Sequence, residues 1–186
     1  MEQVKSIGRS EKSKSRGIPK GELGWIAIAL IIAAAIVIAG LWSMLHFDPA
    51  LLHTRRFEPV FKNYGSNARL ALFFVLANYV LAKVLQKRLI DPWEPVKKVV
   101  VACLRFARKW HTPMAVIAIG LIIVHVVGAF MYGFKFDFHN LSGLIALLAL
   151  LPVPVAGLFR YRRMDRKWHL RLGLIFTVFF LLHAFI

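Results

Sequence analysis

The sequence predicts an all-α fold: a polytopic membrane helical bundle of five transmembrane helices plus a short interfacial helix. Three observations predict it. Of the 186 residues, 59% are hydrophobic, and the mean hydropathy of +0.63 lies on the membrane side of ordinary soluble composition. Apolar runs long enough to cross an apolar layer of about 30 Å recur along the chain. The 25 Lys and Arg residues gather between those runs, where topology and lipid headgroups explain them. A net charge of +16 would suggest nucleic acid in a soluble protein; with the charge confined to connecting segments, that partner is excluded. Cys103 is the only cysteine, so no internal disulfide and no C-x-x-C-H haem attachment are possible.

The elements follow in order. Residues 1–21 form a polar, basic N-terminal arm, and residues 22–186 form the membrane bundle. The run over 23–45 is too long for a signal h-region and has no convincing cleavage site, so it reads as the first span. Residues 46–67 carry Pro49, Pro59 and Gly65 and read as a loop. The second span covers 69–86, with Lys83 and Lys87 able to snorkel at its end. Asp91-Pro92-Trp93-Glu94-Pro95 breaks the chain. Residues 96–109 then place Val99, Val100, Cys103 and Ala107 to one side and Lys or Arg elsewhere, the pattern of an amphipathic helix lying in the interface. The third, fourth and fifth spans cover 110–134, 141–159 and 168–186. Pro152 and Pro154 should kink the fourth near its end, and Arg160–Lys167 is a tight basic loop.

Lys and Arg set the orientation. The N-terminal arm, the segment 83–109 and the segment 160–171 hold 20 of the 25, and the two opposite loops hold five. This bias predicts a multi-pass protein of the cell membrane with its N-terminus cytoplasmic and its C-terminus outside.

One stretch is doubled. Residues 108–125 and 166–183 both open with RKWH, continue apolar and close on a histidine. His111 precedes His125 by 14 residues, as His169 precedes His183. Fourteen residues fall within about 40° of four whole turns and rise about 21 Å, so each pair shares a helix face at two bilayer depths. An imidazole in hydrocarbon needs a partner and is a functional candidate. With the third and fifth spans running in the same direction, His111 pairs with His169 and His125 with His183. Two haem b groups, each bis-histidine and non-covalent, fit that arrangement, and such a site favours one-electron transfer. Arg108, Lys109, Arg166, Lys167 and Arg171 gather where inner propionates would emerge, and Arg suits carboxylates by its bidentate geometry. Lys135, Asn140, Ser142 and Arg69 are the outer candidates. Ala115, Ala118, Gly128 and Gly173 would let a flat ring approach the backbone.

On these histidines, residues 69–186 resemble the ferric-reductase-like transmembrane domain, and in spacing alone the di-haem membrane cytochromes b. In that family two histidine pairs sit on the third and fifth helices of a mostly six-helix bundle. The matching positions are His111, His125, His169 and His183. The sequence departs from the pattern in showing five spans and no flavin- or nicotinamide-binding domain. The resemblance implies a haem-bearing electron-transfer subunit of an oxidoreductase. The basic cytoplasmic surface, including 96–109, is the expected dock for a partner subunit carrying flavin or iron–sulfur centres, or equally for anionic lipid, and a quinone is a further candidate partner.

Two other readings stand beside it: a quinone-reactive anchor of a larger dehydrogenase, and a haem-free structural subunit. A single His-x13-His is as well explained by hydrogen bonds to neighbouring helices, whereas the duplication favours a ligand. His139, 14 residues after His125, reads as a loop histidine, because a helix from His111 to His139 would be about 42 Å long. His46 and His53 read as interfacial, and Cys103 as a small packing residue.

Overall fold

A computed structural model describes residues 20–159 and 166–186. The basic arm over 1–19 and the loop over 160–165 lie outside the described residues. Among the described residues six helices follow in order: α1 (Lys20–Leu45), α2 (Glu58–Gln86), α3 (Glu94–Tyr132), α4 (Phe138–Leu150), α5 (Pro152–Phe159) and α6 (Arg166–Phe185), with a 3-10 turn at Pro49–Leu51. Five stretches are long and apolar enough to cross a membrane, with α4 and α5 together supplying the fourth. Large apolar side chains stay exposed along every one, among them Ile31, Ile38, Leu70, Ile123, Leu148 and Val178. That is the surface of a multi-pass membrane protein, whose solvent is lipid.

Two element boundaries differ from those the sequence predicts. Helix α2 begins at Glu58, eleven residues before 69. Pro59 stands in its first turn, where a missing N–H costs nothing, and Gly65 is tolerated because a helix packs on it. The interfacial helix over 96–109 is the first part of α3, which runs unbroken for 39 residues. Pro113 lies inside it and is buried. The predicted break in the fourth span is found at Leu151, between α4 and α5. The ring of Pro152 offers no N–H to continue the ladder.

The bundle is two half-bundles. Helix α3 packs on α1 and α2, and α6 packs on α4 and α5. In the first half, Met44, Phe57, Phe61 and Val124 form the buried core. Gly128 faces the Phe61 Cβ and Met44, so its small size serves helix packing rather than the histidine face. Gly120 lets α3 approach Ala33 of α1. Small residues at crossings are the usual way for helices to associate in lipid. Between the halves, Phe73 meets Phe180 edge-on at 5.6 Å, and Arg69 donates to the Ala184 carbonyl at 3.4 Å.

One membrane boundary is marked by tryptophan. The Trp25 and Trp110 rings lie 4.9 Å apart, the Lys109 ammonium sits 5.6 Å from the Trp25 ring centre, and the Arg171 guanidinium 5.5 Å from that of Trp168. Tryptophan flanked by cations is the signature of the headgroup level. From Trp110 to Tyr132 the helix rises about 33 Å, one bilayer core.

Candidate functional site: two levels of paired histidines

Helices α3 and α6 meet through imidazoles. The rings of His111 and His169 lie 6.4 Å apart at 83°, and those of His125 and His183 lie 6.3 Å apart at 53°. The structure therefore brings together the two pairs that the spacing predicts. None of the four rings is fully exposed: each is partly covered by the bundle.

Backbone carbonyls orient the rings of His125, His169 and His183. The Nδ1–H of His125 donates to the Phe61 carbonyl at 3.1 Å, that of His169 to Val153 at 3.1 Å, and that of His183 to His139 at 3.0 Å. A neutral imidazole that donates from Nδ1 keeps its lone pair on Nε2. Each carbonyl lies one helical turn before a glycine that faces the same ring. A Cβ at Gly65 would stand 2.7 Å from the His125 ring, and one at Gly143 would stand 2.7 Å from the His183 ring. One at Gly157 would stand 3.5 Å from the His169 ring. The physical reason is local: a helical side chain covers the turn that precedes it, and glycine leaves that carbonyl open to a second donor.

Gly65, Gly143 and Gly157 are the site residues that sequence reasoning missed. The signal was present as a glycine within each facing helix, but nothing in one helix's periodicity says which other helix covers it. His139 was expected in a loop. It stands in the first turn of α4, and its ring stacks on His183 at 4.4 Å.

The expected cationic ring does not close on the pairs. Arg108 and Lys167 are exposed, Lys109 and Arg171 lie over tryptophans, and the side chain of Arg166 lies outside the described residues. Gly173 faces no neighbour within 4 Å. On the opposite side, Asn140 bonds Asp137, Ser142 bonds the His139 carbonyl and Lys135 is exposed.

The expectation of two haem b groups is corrected. Among the described residues, no group of three or more His, Cys, Asp or Glu side chains could hold a metal ion. His139 stacks on His183 beside the second pair without making up such a group, and Arg108, Lys109, Lys167 and Arg171 are turned to tryptophan or solvent. What the arrangement offers chemically is four intramembrane nitrogen bases in two facing pairs, about 21 Å apart along the helices.

Compared with family models, curated proteins and solved structures, the chain matches none.

Proposed function

We propose that the chain is the membrane-integral subunit of an oxidoreductase, passing electrons between a cytoplasmic-side redox partner and an acceptor on the other face or a quinone in the bilayer. The observation that carries this reading is the repetition of one facing imidazole pair at two depths. Each pair has the same ring separation to within a tenth of an ångström. A lone buried histidine is explained by a hydrogen bond, but the same pair built twice along the membrane normal gives two stations at which a redox group such as the quinone would be held, because imidazole itself carries no electron. The Lys and Arg bias supports a cytoplasmic position for the tryptophan-marked end. There a partner carrying flavin or iron–sulfur centres would dock, with anionic lipid around it.

The test is transfer across a sealed bilayer. Liposomes holding the full chain and trapped ferricyanide are given external dithionite, and bleaching of the ferricyanide is followed. Bleaching well above that of protein-free vesicles, and lost in His111→Ala and in His125→Ala, supports the reading. Equal rates with and without protein overturn it.

A structural membrane subunit is the second reading. It is favoured by the lack, among the described residues, of any group of three or more metal-holding side chains. Protein-free rates in the same assay, with a normally folded chain, would establish it.

A further inference from the structure

Residues 94–109 of α3 are bracketed by membrane markers. The second candidate span ends just before them, at Gln86. Trp93, exposed by 64%, stands in the turn that follows, and Trp110 lies against Trp25 at the far end. Tryptophan is favoured at the headgroup level, so the segment between these rings belongs to the boundary layer and not to open water. One of its sides is already taken: Leu104 and Ala107 are buried, and Phe106 meets Phe74 of α2 edge-on at 5.8 Å.

A different face carries a shallow groove of about 380 Å³, lined by Glu94, Lys97, Lys98, Val101, Ala102 and Arg105. These residues recur every three or four positions, so the groove follows one helix face for about three turns. Lys97 is engaged, held by Asp91 at 3.1 Å and by Glu94 at 3.6 Å, and it offsets the carboxylate that Glu94 brings to the groove. Lys98 and Arg105 form no ion pair among the described residues. They stand within about 20° of the same azimuth and about 10.5 Å apart along the axis, with Val101 and Ala102 between them. Two unpaired cations on an apolar floor complement a phosphodiester above its acyl chains. Arg105 would meet the phosphate in its bidentate geometry and Lys98 as a point charge, while the first methylenes lie on Val101 and Ala102. A choline or ethanolamine headgroup would bring its own ammonium against Lys98 and Arg105, so the groove favours a headgroup of net negative charge.

We propose that this groove is a binding site for one anionic phospholipid, its phosphate held between Lys98 and Arg105. The site needs only that the bundle spans a membrane, and it stands or falls independently of electron transfer.

The experiment is native mass spectrometry of the full chain in detergent, titrated with phosphatidylglycerol or with phosphatidylcholine of identical acyl chains. A first phosphatidylglycerol should be retained at concentrations where phosphatidylcholine is not. Its affinity should fall about tenfold or more in Lys98→Gln/Arg105→Gln. Arg55→Gln/Arg56→Gln removes the same charge from two exposed residues before α2 and should leave retention unchanged. Circular dichroism checks that each variant keeps its helices, and Lys98→Gln alone, a change at an exposed side chain, should give part of the loss if the double variant does not fold. Equal retention of the two lipids would overturn the proposal. So would equal losses in the two double variants, which would mean attraction by net charge alone. Displacement of the lipid by inorganic phosphate would do the same, since the groove would then be a site for a free anion.

Discussion

Gly65 of α2 lies against the ring of His125, so closely that a Cβ there would come within 2.7 Å of the imidazole. The same ring donates from Nδ1 to the Phe61 carbonyl, one turn earlier on that helix. Glycine and carbonyl together hold the ring, and the arrangement recurs at Gly143 with His139 and at Gly157 with Val153. The three glycines do not leave equal room. Gly65→Ala and Gly143→Ala should each push an imidazole off its carbonyl and cost about 1–3 kcal/mol as overpacking. Gly157→Ala meets only ordinary contact at 3.5 Å and should gain up to about 1 kcal/mol from helix propensity. Thermal unfolding in one detergent, compared across the three variants, reads the order. A rise in Tm for all three would show that the glycines do not seat the rings.

The core of the first half-bundle is set by aromatic burial. Phe57 and Val124 are wholly buried beside Met44. Phe57→Ala should cost about 3–5 kcal/mol, and Val124→Ala distinctly less, because the lost volume is smaller. Equilibrium unfolding in mixed micelles measures both. Equal losses would mean that cavity size does not decide stability at this end of the bundle.

Arg69 ties the two halves at the end away from the tryptophans. Its guanidinium donates to the Ala184 carbonyl at 3.4 Å and lies 5.9 Å from the Phe185 ring centre. Arg69→Ala should loosen the last turn of α6, with a loss of about 1.5–3 kcal/mol if the bond is made fully. Amide exchange of residues 182–186 should accelerate while that of 104–107 stays unchanged. Unaltered exchange at both places would show that the tie is idle.

Orientation is testable with one reagent. If the tryptophan-marked end is cytoplasmic, a membrane-impermeant maleimide should label Cys103 in inverted vesicles and leave it unlabelled in intact right-side-out ones. The reverse pattern would invert the topology that the Lys and Arg bias predicts.

The features legible in the sequence were those carried by a single helix. Fourteen-residue spacing put His111 and His125 on one face of α3 and His169 and His183 on one face of α6, and equal direction of travel paired them. The proline at 152 announced its own break. What depended on a second helix could not be read. Whether 96–109 lies in the interface or extends α3 turns on Phe74 and its neighbours in α2, which the amphipathic pattern does not name. The start of α2 at Glu58 was hidden because Pro59 and Gly65 signal a loop until a packing partner is known. The pairing of the rings was legible from spacing, but the group they were expected to hold was not. Spacing counts nitrogens along a helix and says nothing of the further donors and cations that would have to converge around them.

Each half-bundle anchors its own histidines: His125 on Phe61 in the first, His169 and His183 on Val153 and His139 in the second. The pairs themselves exist only across the seam. During synthesis α1 to α3 enter the bilayer with that ring already oriented on its carbonyl and its counterpart not yet made. One event, the arrival of α6, thus fills both levels together.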